Sequence, residues 1–288
     1  MWNEHLSNRR RMSAKLTSEN KYHDLPWSSW KRLQGVLLVC VTGSTNGWEL
    51  IIKAKEKEFR ENDGSLLFCS HPHGLYSAGV VYNLILSKVA HSKLNIPHLR
   101  TFVHTLLLTL LPGVKEILRS LGYMKADWST MSTALKRGES GVIIPGGMAE
   151  AMWAGRVEDE SDHLYLVNRK GFVKLAMSVG AKVVPVYTFG ESLSCGIDVV
   201  PFFPLRLWVT SKIGLPLRAL SLCQRWWLAF PQGKLVTVVG APVELPHIQN
   251  PSREEVTRAH EKYTRALMDL VESTKEQAGY PLTKIKLE

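Results

Sequence analysis

The chain has 288 residues, of which 45% are apolar and 22% charged, and a formal net charge of +10 at pH 7. A globular chain of this size buries roughly three quarters of its unfolded surface, so we expect a sizeable core. The positive charge suits nucleic acid, an anionic membrane surface or a phosphate-bearing substrate. Because no nucleic-acid-binding motif is present, we expect no nucleic acid partner.

The four cysteines stand far apart, without a C-x-x-C pair. This spacing favours neither a metal site nor a disulfide framework, and it fits a reducing compartment. The sequence also lacks a P-loop, a dinucleotide-binding fingerprint and a G-x-S-x-G nucleophile elbow.

Residues 1–30 are polar and basic and lack the apolar core of a signal peptide, so we expect a loosely ordered segment there. Residues 31–288 contain no linker or internal repeat and are predicted to form a single domain. The apolar run at 35–43 is too short to span a bilayer, and the run at 101–114 is interrupted by a histidine and a proline. Since a spanning helix needs about 20 apolar residues, we predict none, although either run can lie in a membrane interface.

Short, continuous apolar runs alternate with helical patterns along the chain. They predict strands at 65–69, 141–145, 181–189 and 234–240, and helices at 74–88 and 171–180. Continuous apolar runs are typical of strands that are covered on both faces. The order of elements predicts an α/β fold with a mostly parallel central sheet flanked by helices.

A long amphipathic helix is predicted after residue 251. Ser252 and Glu255 have capping-box spacing at its start. The apolar positions repeat with helical spacing, which predicts that one face packs on the domain; they are Val256, Ala259, Tyr263, Leu267 and Leu270.

Two histidines flank a proline where the first of these strands ends, in the sequence His71-Pro72-His73-Gly74. The proline favours an extended residue before it, and the glycine permits a sharp turn. His73 is therefore expected at the carboxyl end of a strand, where open α/β sheets build their active sites. An imidazole there can take a proton from a hydroxyl group near neutral pH. The alternative is a structural histidine that caps the following helix.

A second candidate motif follows the strand at 141–145. Gly146 and Gly147 can expose backbone N–H groups to a developing oxyanion, and Glu150 follows at a predicted helix start. A carboxylate near a histidine can hold its tautomer and stabilise the imidazolium. The alternative is an ordinary turn with an acid favoured by the helix dipole.

The third candidate is the basic pair Arg169 and Lys170 before Gly171, at another predicted helix start. Such a position can bind phosphate. A solvated basic pair is the alternative interpretation.

The motifs H-P-H-G, G-G-x-x-E-A, R-K-G-F-V-K-L-A and G-A-x-x-V-P-V-Y-x-F-G-E occur in this order. Over roughly residues 60–285 this pattern resembles the type 2 diacylglycerol acyltransferase family, which also includes monoacylglycerol and wax-alcohol acyltransferases. The resemblance implies a fold like that of the glycerol-phosphate acyltransferases. Their His-x4-Asp pattern is absent, because Ala78 stands five residues after His73, so the acid that orients the histidine must come from elsewhere.

The resemblance implies transfer of an acyl group from acyl-CoA, as co-substrate, to the hydroxyl of a neutral lipid, with diacylglycerol as the first candidate acceptor. No cofactor or metal is required, because a thioester is already activated. The family's catalytic histidine falls on His73, its second motif histidine on His71 and its acidic partner on Glu150. Arg169, Lys170 and Gly171 match its R-K-G motif. Residues 101–114 are candidates to line an acyl groove.

The resemblance also implies a place on the cytosolic face of the endoplasmic reticulum or of a lipid droplet. Two segments depart from the family pattern: only 35–43 hints at the N-terminal hydrophobic hairpin, and a G-R-G segment is replaced near 229–234. We therefore expect peripheral or monotopic attachment rather than several spans. Tryptophans and basic residues are mixed in 201–234, which favours contact with a membrane surface over packing in the core.

Two other functions stay open from the sequence. The enzyme can acylate another alcohol, such as monoacylglycerol, a long-chain alcohol or a specialised metabolite. The chain can also be a non-catalytic lipid-binding homologue, although the retained His73 and Glu150 argue against this.

Overall fold

A computed structural model describes residues 48–288 except for 55, 61–63, 75–76, 97–98, 109–117, 120–121, 155–160, 195–201 and 214–232. The segment 1–30, the apolar run at 35–43 and much of the Trp-rich stretch at 201–234 lie outside the described residues, so the predictions for them stay predictions.

The described strands form a seven-stranded sheet and a separate two-stranded one. The large sheet contains β1 (Trp48–Ile52), β2 (Leu66–His71), β3 (Leu99–Val103), β4 (Tyr123–Lys125), β5 (Ser140–Ile143), β7 (Lys182–Phe189) and β8 (Leu235–Val239) in the order β1-β8-β7-β2-β5-β3-β4. The neighbours pair in parallel except for β7 and β8, which are antiparallel. The small parallel sheet joins β6 (Ser161–Leu164) to β9 (Lys284–Leu287).

Helices cover both faces of the large sheet. They are α1 (Glu56–Arg60), α2 (Lys88–Leu94), α3 (Trp128–Lys136), α4 (Gly147–Trp153), α5 (Gly171–Val179), α6 (Phe203–Ile213) and α7 (Arg253–Ala278). One apolar core lies under α3, α5 and α7, and a second lies under α1, α2 and a π-helical turn at Val80–Ile85. The predicted α/β class with a mostly parallel sheet between helices is confirmed.

The predicted strands at 65–69, 141–145, 181–189 and 234–240 correspond to β2, β5, β7 and β8, and the helix at 171–180 corresponds to α5. The C-terminal helix is also confirmed as α7, with both hydrogen bonds of the capping box between Ser252 and Glu255. Its apolar stripe is buried, and Tyr263 is among the largest fully buried side chains.

Two predictions need correction. A single α-helix at 74–88 does not form. Ser77 adopts a left-handed φ of 55°, which interrupts the helix before Val80. The π-helical turn Val80–Ile85 then ends where the Leu86 N–H donates to the Val81 carbonyl. The run at 101–114 begins inside β3, where Phe102 is buried in the sheet, so its first part is apolar for a reason other than membrane contact. Among the described residues, no helix has both the length and the apolar character that crossing a bilayer requires.

Candidate active site

The His-Pro-His-Gly segment forms a sharp corner at the carboxyl end of β2. The His71–Pro72 peptide is cis, and Gly74 has a φ of +58°. A Cβ at Gly74 would lie 2.5 Å from Oε1 of Glu191, so both the backbone angle and the neighbouring carboxylate favour glycine. His73 lies at the carboxyl edge of the sheet, as predicted, with its side chain only partly exposed.

Glu150 lies on α4 and connects this helix to the corner through hydrogen bonds. Its Oε2 accepts a hydrogen bond of 2.8 Å from the backbone N–H of His73, and its Oε1 accepts one of 3.1 Å from the N–H of Tyr165. The carboxylate is buried, and burial of a charge is tolerated only when strong donors satisfy it. Glu150 is therefore more than an acid at a helix start, because it joins three separate segments.

The two glycines before Glu150 have different reasons to be glycine. A Cβ at Gly146 would lie 1.9 Å from the Glu150 carboxyl group, so this carboxylate occupies the space that a side chain would need. Gly147 instead adopts a φ of +60°, and its N–H donates to the Ile144 carbonyl at 3.2 Å. The Gly147 N–H is thus already engaged, which leaves Gly146 as the glycine donor for an oxyanion.

The tautomer of His73 follows from its neighbour Gly74. The ring nitrogen Nδ1 lies 2.9 Å from the Gly74 carbonyl oxygen, and because a carbonyl only accepts, Nδ1 carries the proton in the neutral ring. Nε2 then holds the free lone pair. The sequence predicted that Glu150 orients the His73 ring. In the structure the Gly74 carbonyl binds the ring instead, and Glu150 binds the backbone N–H of His73.

Burial lowers the pKa of His73 below its usual value of 6.5, while the bond to Gly74 and the charge of Glu150 oppose this shift. The ring is therefore neutral at physiological pH and able to accept a proton. The Ser77 hydroxyl donates to the His73 carbonyl at 2.8 Å and fixes the backbone of the corner.

His71 is completely buried beneath the corner. Its Nε2 lies 3.1 Å from the Tyr263 hydroxyl, which donates its single proton to the Cys69 carbonyl at 3.2 Å, so Nε2 of His71 is the donor. Its Nδ1 lies 3.6 Å from Oε1 of Glu150. Within the part of the chain that the structure describes, Nδ1 has no hydrogen-bond partner at this distance, so the structure ties His71 to Tyr263 of α7 and places the ring beside Glu150, away from solvent.

Glu191 is a buried residue at the end of the G-A-x-x-V-P-V-Y-x-F-G-E motif, and the sequence did not predict that it belongs to the site. Its two carboxylate oxygens accept the N–H groups of Ala78 and Gly79 at 2.8 and 2.7 Å, directly after the corner. Burial raises the pKa of Glu191 to about 7, against the two N–H bonds. The available signal was an acid after Gly190 at the end of the long buried strand β7.

Asp162 is a second acid that was missed. It accepts hydrogen bonds from the hydroxyls of Tyr187 and of Ser192, the latter at 2.5 Å. Burial raises its pKa, and the charge of Glu150 contributes in the same direction. In the sequence Asp162 stands outside every recognised motif, so only the fold brings it to Glu150 and Glu191.

Arg169, Lys170 and Gly171 lie at the start of α5, next to the first turns of α7. The Lys170 ammonium donates to the Thr257 hydroxyl at 3.0 Å, and Arg169 is exposed. The end of α5 is joined to the start of β7, and β7 is parallel to β2. The first turn of α5 therefore lies at the opposite edge of the sheet, where β2 ends. Within the described ranges, no group of three or more His, Cys, Asp or Glu side chains is arranged to hold a metal ion.

The described site thus consists of a neutral histidine with a free Nε2 lone pair, a buried carboxylate bound to its backbone, and a glycine turn beside it. A neutral imidazole with this lone pair can accept a proton from a hydroxyl group. A sequence model of the family described as "Diacylglycerol acyltransferase" matches residues 50–287. The chain belongs to this family and is an acyltransferase of lipid metabolism.

Several characterised relatives are similar over most of the chain. "Diacylglycerol O-acyltransferase 2-like protein 6" of Mus musculus is 28% identical over 98% of this chain and 81% of its own length. "Diacylglycerol O-acyltransferase 2" of Bos taurus is 30% identical over 76% of the chain and 63% of its own length. "2-acylglycerol O-acyltransferase 3" of Homo sapiens is 31% identical, with coverages of 76% and 67%.

Among solved structures, the 1-acyl-sn-glycerophosphate acyltransferase PlsC of Thermotoga maritima is similar over 77% of this chain and 72% of its own. The identity is 17% and the TM-score is 0.44.

The raised pKa of Glu191 predicts a pH-dependent stability. The unfolded carboxyl group ionises near pH 4.5 and the folded one near 7, so the folded state holds an extra proton between these values. The free energy of unfolding should therefore fall as the pH rises from about 4.5 to 7, and Glu191→Gln should flatten this slope. At neutral pH the same variant should lose about 1–3 kcal/mol, because its amide group opposes one of two N–H donors.

Denaturant unfolding of both proteins across this pH range measures the effect. Glu276→Gln, on the exposed side of α7, is the control and should leave the slope unchanged. Equal slopes for the Glu191 variant and the unsubstituted protein would show that Glu191 ionises normally in the fold.

Proposed function

We propose that this protein transfers an acyl group from acyl-CoA to the hydroxyl of diacylglycerol and that His73 is the general base. Nε2 of His73 removes the hydroxyl proton while the alcohol oxygen attacks the thioester carbonyl. The carbon–sulfur bond then breaks, the ester forms, and the leaving thiolate receives the proton from the imidazolium. The observation that carries this proposal is the bond between Nδ1 of His73 and the Gly74 carbonyl, which leaves Nε2 as the basic nitrogen.

Glu150 supports this step in two ways. Its carboxylate holds the His73 backbone at 2.8 Å, and its negative charge stabilises the imidazolium that forms during the reaction. His71, which is buried between Tyr263 and Glu150, is a positioning residue rather than a group that contacts substrate. The N–H of Gly146 is the proposed donor to the oxyanion of the tetrahedral intermediate.

The choice of diacylglycerol as acceptor rests on the names of the relatives. Two of them are named for diacylglycerol and one for 2-acylglycerol, so monoacylglycerol is the second candidate acceptor. A non-catalytic lipid-binding role is disfavoured because the chain belongs to a family of acyltransferases.

The acceptor is a neutral lipid, and we propose that the protein meets it at a membrane surface, on the endoplasmic reticulum or a lipid droplet, through α6. Leu205 and Trp208, three residues apart on one face of this helix, have exposed fractions of 61% and 58%, and Phe202 just before it has one of 78%. The opposite side of α6 packs through Leu207 against Met152 and Trp153 of α4. The proposed membrane-binding helix α6 therefore packs directly against α4, the helix that carries Glu150.

Replacement of the base should abolish most of the turnover. His73→Ala should lower the rate of acyl transfer by about 10²–10⁴, the range for loss of a general base, with little change in stability because the ring lies at a partly exposed corner. The assay uses labelled acyl-CoA and a panel of diacylglycerol, monoacylglycerol and long-chain alcohols. His91→Ala is the control, since His91 lies on α2 beneath the other face of the sheet and should retain most of the activity. Near-normal turnover by His73→Ala would contradict the assignment.

The pH dependence of kcat/KM separates the charge of Glu150 from its shape. Because burial lowers the pKa of His73, the acidic limb of the profile should lie below pH 6.5. Glu150→Gln removes the charge that raises this pKa, so the limb should move to still lower pH while the rate falls by about 10²–10⁴. A His73/Glu150 double variant should lose little beyond the worse single variant, because the pair acts as a unit. An unmoved limb together with additive losses would leave Glu150 with a purely structural role.

Membrane contact can be measured by sedimentation with vesicles that contain anionic lipid. Leu205→Glu combined with Trp208→Glu should lower the bound fraction about tenfold or more, since a fully buried apolar side chain contributes roughly 1.5–3 kcal/mol. Leu282→Glu, at a position with an exposed fraction of 80% outside α6, should bind like the unsubstituted protein. If both variants bind equally well, another segment makes the contact.

A further inference from the structure

A cavity lined by positively charged side chains lies where α5 and α7 begin, outside the site around His73. This cavity of about 340 Å³ is lined by Asn168, Lys170, Lys174, Pro251, Arg253 and Val256. The lining contains three cations and no carboxylate. The capping-box acid Glu255, at the start of α7, accepts a hydrogen bond of 2.7 Å from the Ser252 N–H. The cavity lining therefore carries three positive charges, which suits an anion carrying several charges.

The cation at Lys170 is held in place by its surroundings. Its ammonium group uses one of three donors on the Thr257 hydroxyl at 3.0 Å, which leaves two for a ligand. Burial, together with the charge of Lys170, lowers the pKa of His260, so the positive potential of Lys170 extends into the space between α5 and α7.

An aromatic surface adjoins this cavity. Lys174 lies over the ring of Trp128 at 6.0 Å from its centroid, and the exposed fraction of Trp128 is 50%. Trp128 also lines a second cavity of about 470 Å³ that runs between α3 and α5 and is otherwise lined mainly by polar side chains, among them Ser132, Ser178 and Asn250. Asn250 of this cavity directly precedes Pro251 of the first cavity, so the two cavities are neighbours, and together they are called the groove below.

A half-exposed indole beside Lys174, one of the three cations of the first cavity, matches a ligand that carries both a planar base and phosphates. Purine rings stack on tryptophan, and Lys and Arg bind phosphate oxygens through charge-assisted hydrogen bonds. We propose that this groove binds the 3′-phosphorylated adenosine diphosphate end of the acyl-CoA donor, with the phosphates on Lys170, Lys174 and Arg253 and the adenine on Trp128. The assignment rests on the proposed use of acyl-CoA.

The position of the groove agrees with a donor whose thioester reaches the general base. Thr257 at the cation cavity and Tyr263 against His71 are both on α7, and six residues of helix span about 9 Å. The start of α5 also lies at the sheet edge where β2 ends. The extended pantetheine arm of coenzyme A is long enough for such a separation, so the nucleotide end and the reacting carbonyl can occupy the two places together.

Calorimetric titration of the full-length protein tests the groove without requiring turnover. Coenzyme A, its 3′-dephosphorylated form, adenosine 3′,5′-bisphosphate and inorganic phosphate are the ligands. Coenzyme A should bind more tightly than the dephosphorylated form. Lys174→Ala and Arg253→Ala should each weaken coenzyme A about tenfold or more. Trp128→Ala should weaken the three ligands that contain adenosine by about five- to a hundredfold and should leave inorganic phosphate unchanged.

Arg258→Ala is the matched control, because Arg258 is an exposed cation on α7 that does not line the groove, and its affinity should equal that of the unsubstituted protein. Unchanged affinity in the Lys174 and Arg253 variants would overturn the groove even if acyl transfer from acyl-CoA is observed. Loss of binding to anionic vesicles, with unchanged binding of coenzyme A, would assign the cations to a lipid headgroup and overturn the nucleotide proposal. Tight nucleotide binding without any acyl transfer would support the groove and count against the proposed function alone.

Discussion

The hydrogen bond between the His73 N–H and the Glu150 carboxylate organises the whole site. It joins the end of β2 to α4, and the second oxygen of the same carboxylate binds the N–H of Tyr165 after β6. A buried carboxylate is costly unless strong donors surround it, so these segments are held to one another by the need to satisfy one charge. Gly146 must be a glycine for the same reason, since any side chain there would occupy the position of the carboxylate.

Two further acids, the buried Glu191 and the partly buried Asp162, are also satisfied by hydrogen-bond donors. Glu191 binds the two N–H groups that follow the corner, and Asp162 binds two hydroxyl groups. Burial raises the pKa of both acids, and charge repulsion within the cluster contributes, from Glu150 onto Asp162 and from Asp162 onto Glu191. The His73 ring is thus held by a backbone carbonyl, while the acids bind the backbone N–H and hydroxyl groups around the corner.

The parts of the fold that could be predicted from sequence are those with a local signal. Continuous apolar runs gave the central strands, and the Ser252–Glu255 capping box gave the start of α7. The strand β3 was missed because Leu99–Val103 overlaps an apolar run that also suits a membrane interface, and pairing between β6 and β9 joins residues about 120 positions apart. The sequence motifs pointed to His71, His73 and Glu150 as candidates, but which atom binds which could be known only from the fold, as the bond from His73 Nδ1 to the Gly74 carbonyl demonstrates.

The proposed chemistry requires that His73 at neutral pH is an uncharged ring with its proton on Nδ1 and its lone pair on Nε2. Nitrogen-15 NMR of histidine-labelled protein reports this directly, because protonated and unprotonated ring nitrogens have distinct chemical shifts. The His73 signals can be assigned by their loss in His73→Ala. The structure predicts a protonated Nδ1 and an unprotonated Nε2 at pH 7, with the ring titrating below pH 6.5. A proton on Nε2, or an imidazolium at pH 7, would contradict the account.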